Sequence, residues 1–149
     1  MIRALLDKID ISGRRQHERV FAGRLSLSPE EFYEKYFCDR GFSKDLVLRI
    51  KHIFDKNIGF DLSRLSAKDD FSKELKYIWD HDSMADVETI VALEKEFGIR
   101  ISDDEGAMMK TFDCVVRVIH AKVQNDKSPN GKVITSSEAS QAGAGSAKL

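Results

Sequence analysis

Apolar residues recur at helical spacing along most of this chain, strict alternation is scarce, and only two prolines, Pro29 and Pro129, interrupt it. A period near 3.6 places such residues on one stripe of a helix, whereas strands need a period of two. The pattern therefore predicts an all-α protein. With 149 residues, 42% of them hydrophobic, the chain suits one small domain with appended ends rather than two full domains. From residue 124 to 149 the composition shifts to Ser, Gly, Ala, Lys and Asn without an aromatic residue, which predicts a disordered tail.

The helices announce themselves one by one. Ile2, Leu5, Leu6 and Ile9 make an apolar stripe on an N-terminal helix. Residues 1–25 carry six bases and three acids, a local charge of +3, so this helix either lies on its own domain, the favoured reading, or touches a membrane surface or partner. Ser28-Pro29-Glu30-Glu31 is a capping box with proline at the first helical position. Phe32, Tyr33, Tyr36 and Phe37 follow as an aromatic packing stripe that ends near Gly41. Ser43 opens a helix with Leu46, Val47, Ile50, Ile53 and Phe54 inward, and a long connection runs from Phe60 to Asp82. Met84, Val87, Ile90, Val91, Leu93 and Phe97 define the next helix, stopped by Gly98. Ser102 and Glu105 cap a short helix, and Thr111 precedes a last one with Phe112, Val115, Val116 and Ile119 on one face.

Several function classes drop out. The 24 bases and 25 acids leave a net charge of −1, without the basic excess of a nucleic-acid binder. No apolar run approaches the roughly 20 residues of a membrane span, and the charged start lacks a signal-peptide core; a cytoplasmic location is expected. Cys38 and Cys114 form no zinc spacing and read as reduced core residues. Asp80, His81 and Asp82 are adjacent side chains that do not readily converge on a metal, so no metal site is expected. His17, His52 and His120 lack an evident nucleophile partner, and no catalytic or phosphate-loop motif is present. An enzyme is not expected.

The informative stretch is Asp82-Ser83-Met84-Ala85-Asp86-Val87-Glu88, continuing through Ala92-Leu93-Glu94-Lys95-Glu96-Phe97. It resembles the acyl carrier protein family, in which an Asp-Ser-Leu motif opens a helix with Val-Glu at the fourth and fifth places after the serine and Ala-Leu-Glu-x-Glu-Phe at its close. The resemblance extends from about Val47 to Ile119, roughly half the chain. It implies a four-helix bundle over residues 43–123, three longer helices and one short, with residues 1–42 as an extra helical segment and 124–149 as the tail.

The resemblance also implies that Ser83 is esterified by a phosphopantetheinyl transferase. The covalent 4′-phosphopantetheine would carry acyl groups as thioesters to partner enzymes of fatty acid or lipid synthesis. A helix N-terminus suits such a phosphodiester, because its free N–H groups and dipole favour an anion. Between Asp80 and Glu105 nine acids face two bases, a local charge of −7. This supports Asp82, Met84, Asp86, Glu88 and Glu94 as a surface for partners with basic patches. Met84, Val87, Val91 and Phe112 are the candidate lining of an acyl pocket. A monomeric carrier is the resulting expectation, and an unmodified interaction module of the same fold is the alternative. The chain departs from the family pattern in having Trp79-Asp80-His81 where a glycine is usual before the serine, about four extra residues between Phe71 and Ser83, Lys95 where an acid is common, and the N-terminal forty residues.

Overall fold

The computed structural model describes residues 2–82 and 84–127, with the side chains of residues 2–11, 81 and 127 excepted. Among these there are seven helices: α1 (Ile2–Phe21), α2 (Pro29–Tyr36), α3 (Lys44–Asn57), α4 (Lys76–His81), α5 (Ala85–Phe97), α6 (Asp103–Met108) and α7 (Phe112–Lys127). The only pairing of extended backbone among the described residues is one isolated bridge, Asp70 with Thr111. The fold is all-α, as the periodicity requires.

Local chemistry sets most boundaries. At α2 the Glu31 N–H donates to Ser28 Oγ over 3.1 Å, and the Ser28 N–H donates back to Glu31 Oε1 over 2.8 Å. The same reciprocal pair, Ser102 and Glu105, starts α6. Ser43 Oγ accepts from Leu46 N–H at the start of α3, and Gly98 closes α5 at φ 64°, a left-handed position that glycine takes without strain.

One core joins all of this. Leu46, Val47, Ile50, Ile53 and Phe54 of α3 meet Leu93 of α5 and Phe112, Val115, Val116 and Ile119 of α7. The aromatic helix α2 packs beside α3. Phe32 is fully buried edge-on to Phe112 at 5.0 Å, and Phe37 is buried just after the helix. The end of α1 enters the same core through Phe21. Arg24 then pairs with Asp69, Arg40 with Asp113, and Arg64 with Glu18, so residues of the N-terminal segment are tied to the bundle by charge as well as by rings.

Three sequence expectations change. The connection from Phe60 to Asp82 contains α4, so residues 43–121 hold three longer helices and two short ones. It has no side-chain cap and only six residues, so neither caps nor periodicity mark it; burial of Leu75, Tyr77 and Ile78 does the work instead. The last helix runs to Lys127, past the tail boundary at 124; Val123 packs against the core, and Gln124, Asn125 and Asp126 continue the helix exposed; residues 128–149 lie outside the described residues. Cys38 and Cys114 are free thiols, half-buried rather than core. The Cys38 thiol donates to the Glu34 carbonyl.

Candidate functional site at the start of α5

Ser83 lies outside the described residues, and its two neighbours frame the place. Asp82 and Met84 are both exposed, Met84 by 55%. The Asp82 carboxylate accepts from Met84 N–H at 3.0 Å, and its carbonyl accepts from Ala85 N–H at 3.1 Å. The regular helix begins at Ala85, one residue later than the motif suggests, and Met84 in the cap position brings no capping side chain. The first turn of α5 carries Asp86 and Glu88, both exposed, which complements the positive end of the helix dipole.

Beside this start, α4, α5 and α6 enclose a cleft of about 670 Å³, within the range of small-molecule sites. Phe71, Trp79, Val87, Val91, Ile101 and Met109 line it, and Lys76 and Asp80 form an ion pair at 2.8 Å on its α4 side. Of the four residues expected to line an acyl pocket, Val87 and Val91 border this cleft. Met84 projects to solvent instead, and Phe112 is fully buried, closed off by Phe32, Phe37 and Phe54. Nothing in the sequence marks Trp79 and Phe71 as lining, since the segment bearing them reads only as a connection.

The acidic surface is also narrower than the charge run implies. Asp82, Asp86 and Glu88 are exposed, whereas Glu94 is half-buried and accepts from Ile101 N–H at 2.8 Å. That bond ties the end of α5 to the next loop and occupies one oxygen of the Glu94 carboxylate. Glu96 is held by Arg49 at 2.7 Å, and the Arg49 guanidinium also stacks over Phe97 at 4.6 Å. At α6, the Lys122 ammonium and the Ser102 N–H hold the Glu105 carboxyl down at about 2. The exposed acids of this run without a cation partner among the described residues are therefore Asp82, Asp86 and Glu88 at the start of α5 and Asp103 and Asp104 in the first turn of α6.

A helical bundle with an acidic helix start beside an apolar cleft defines the class of protein. The comparisons name the family. The chain is 35% identical over 80 residues to an acyl carrier protein of Trieres chinensis, covering 95% of that protein and 54% of this chain. It is 32% identical over 79 residues to an acyl carrier protein of Thermosynechococcus vestitus, covering 93% of it and 53% of this chain. It is also 29% identical over 127 residues to acyl carrier protein 2, mitochondrial, of Arabidopsis thaliana, covering 94% of that protein and 83% of this chain. The chain belongs to the acyl carrier protein family. No family model and no solved structure matches it. No helix among the described residues is long and apolar enough to cross a membrane.

Proposed function

We propose that this chain carries acyl groups on a 4′-phosphopantetheine esterified to Ser83, and that residues 43–123 are its carrier domain. The observation that carries the reading is the Asp82-Ser83-Met84 motif at the start of an acidic helix in a chain of this family. A serine that must enter another enzyme's active site needs accessible flanks, and Asp82 and Met84 on either side are exposed. The group fits its surroundings: an elongated arm with amides and an apolar cargo meets a cleft whose walls are Val87, Val91 and Trp79 and whose rim bears Lys76 and Asp80. When bound, the group supplies a terminal thiol on which an acyl chain is held as a thioester.

The protein's own residues do the rest. Asp86 and Glu88 steer basic surfaces of a phosphopantetheinyl transferase and of acyl-handling enzymes toward the helix start. Val87 and Val91 offer the cargo shelter from water. Catalysis belongs to the partners, and the carrier acts as a monomer in the cytoplasm. Intact mass after coexpression with a broad-specificity transferase tests the reading. The wild-type chain gains one phosphopantetheine increment, and Ser83→Ala gains none. An unchanged wild-type mass would favour an unmodified interaction module, and an increment on the alanine variant would move the site elsewhere. Fractionation against a mitochondrial marker decides the compartment.

A further inference from the structure

The helix α4 cannot stand alone. It has six residues and no side-chain cap, far short of the roughly 12–15 residues at which isolated helices become marginal. What holds it comes from 60 positions earlier in the chain. His17 of α1 is buried, with Nδ1 2.6 Å from the Tyr77 hydroxyl and Nε2 2.6 Å from the Asp61 carbonyl. A carbonyl only accepts, so Nε2 carries the proton and Nδ1 accepts from the Tyr77 O–H. Burial pushes the Tyr77 phenol up, which keeps that proton in place. The His17 ring stacks on Phe60 at 5.0 Å, and Phe60 meets Tyr77 edge-on at 5.4 Å. Three rings and two hydrogen bonds thus lock α1, the 60–61 loop and α4 together.

The other face of α4 belongs to the carrier site. Lys76, Trp79 and Asp80, at i, i+3 and i+4, line the cleft, while Tyr77 turns toward α1. Only residues 82 and 83 separate the end of α4 from Met84. We infer that His17 is a positioning residue for the carrier site: through Tyr77 it fixes α4, and with α4 the approach to residue 83 and one wall of the cleft. The inference rests on the reading of Ser83 proposed above. It gives the appended α1 a task at the site although no described α1 side chain lines the cleft.

The test uses the full chain, coenzyme A and a phosphopantetheinyl transferase, with amide hydrogen exchange of α4 measured in parallel. His17→Ala should lower kcat/KM for arm transfer at least threefold and strip protection from the α4 amides. His17→Gln, whose amide both donates and accepts, should restore much of both. Arg40→Ala, which breaks the Arg40 pair with Asp113 of α7, is the matched control: it should lower stability and leave both readouts near wild type. The inference is overturned if His17→Ala leaves either readout unchanged, or if Arg40→Ala lowers both as much. A wild-type chain that accepts no arm would sink the Ser83 reading, and the exchange data would still decide whether His17 holds α4.

Discussion

Arg24 grips Asp69 with both guanidinium nitrogens, Nη1 to Oδ2 at 2.6 Å and Nη2 to Oδ1 at 3.1 Å. The carboxylate is almost wholly buried and takes a further bond from Ser66 N–H at 2.8 Å. The fork geometry makes this a strong charge-assisted pair. It fastens the turn after α1 to the loop ahead of α4. Removing the cation leaves a buried charge with one remaining donor. Arg24→Ala should therefore cost about 2–4 kcal/mol in urea unfolding, the partial exposure of Arg24 keeping it below the upper end for buried pairs. Arg24→Lys should recover only part of this, because a point charge cannot bond both oxygens.

Acid should loosen the junction at His17 before it affects the carboxylates. Burial holds the His17 imidazole below its usual 6.5, and the Arg64 charge adds to this; the Asp61 carbonyl and the Asp61 and Glu18 carboxylates oppose it. Tyr77, the remaining facing group, is neutral. The unfolded chain therefore takes up the proton near pH 6.5 and the folded chain only at lower pH. This contribution to stability is intact above 6.5 and is lost as pH falls below it. Chemical unfolding of the wild type between pH 7.5 and 5 should show that loss, and His17→Gln should flatten the profile in the same window. Parallel profiles for the two proteins would refute the assignment.

Steering by the start of α5 has a kinetic signature. Asp86→Lys combined with Glu88→Lys should slow arm transfer several-fold, mainly through association. The wild-type rate should fall as salt shortens the screening length from about 8 Å at 0.15 M toward about 3 Å at 1 M. Glu94→Gln should leave the rate nearly unchanged, because the Glu94 carboxylate serves Ile101 N–H. Stopped-flow mixing across a salt series separates these outcomes.

What was legible in the sequence, and what was not, divides by the range of the interactions involved. The boxes Ser28–Glu31 and Ser102–Glu105, the Ser43 cap and the Gly98 stop act within three or four residues, so they can be read from spacing alone. The helix α4 cannot, because what holds it is burial of Tyr77 and Ile78 in the distant core and the Tyr77 bond to His17, 60 residues away. The same applies to the cleft. Periodicity identifies Phe112 as inward, and only the packing of Phe32 and Phe37 over it decides that it belongs to the core and not to the cleft wall. At the start of α5, the Asp82 carboxylate accepts from Met84 N–H, a local bond that the apolar spacing does not show.

The aromatic segment before α3 should prove indispensable to the fold. Phe32 is 1% exposed, edge-on to Phe112 at 5.0 Å and near Tyr36 at 5.1 Å, with the buried Lys51 ammonium 5.5 Å from its ring centroid. Phe32→Ala would open a cavity against three rings, Tyr36, Phe37 and Phe112, and the Lys51–Asp55 pair, at a cost of about 3–5 kcal/mol. That is a large share of the roughly 5–15 kcal/mol available to a domain. Removing residues 1–42 should cost more still. It deletes Phe21, Phe32 and Phe37, all nearly inaccessible, and leaves the Asp69 and Asp113 carboxylates without Arg24 and Arg40; Asp113 would keep only Arg117, at 2.7 Å. The shortened chain should melt at lower temperature and bind the dye ANS, with Phe32→Ala intermediate. If residues 43–149 alone melted like the full chain and excluded the dye, the aromatic segment would be a detachable docking element and not part of the core.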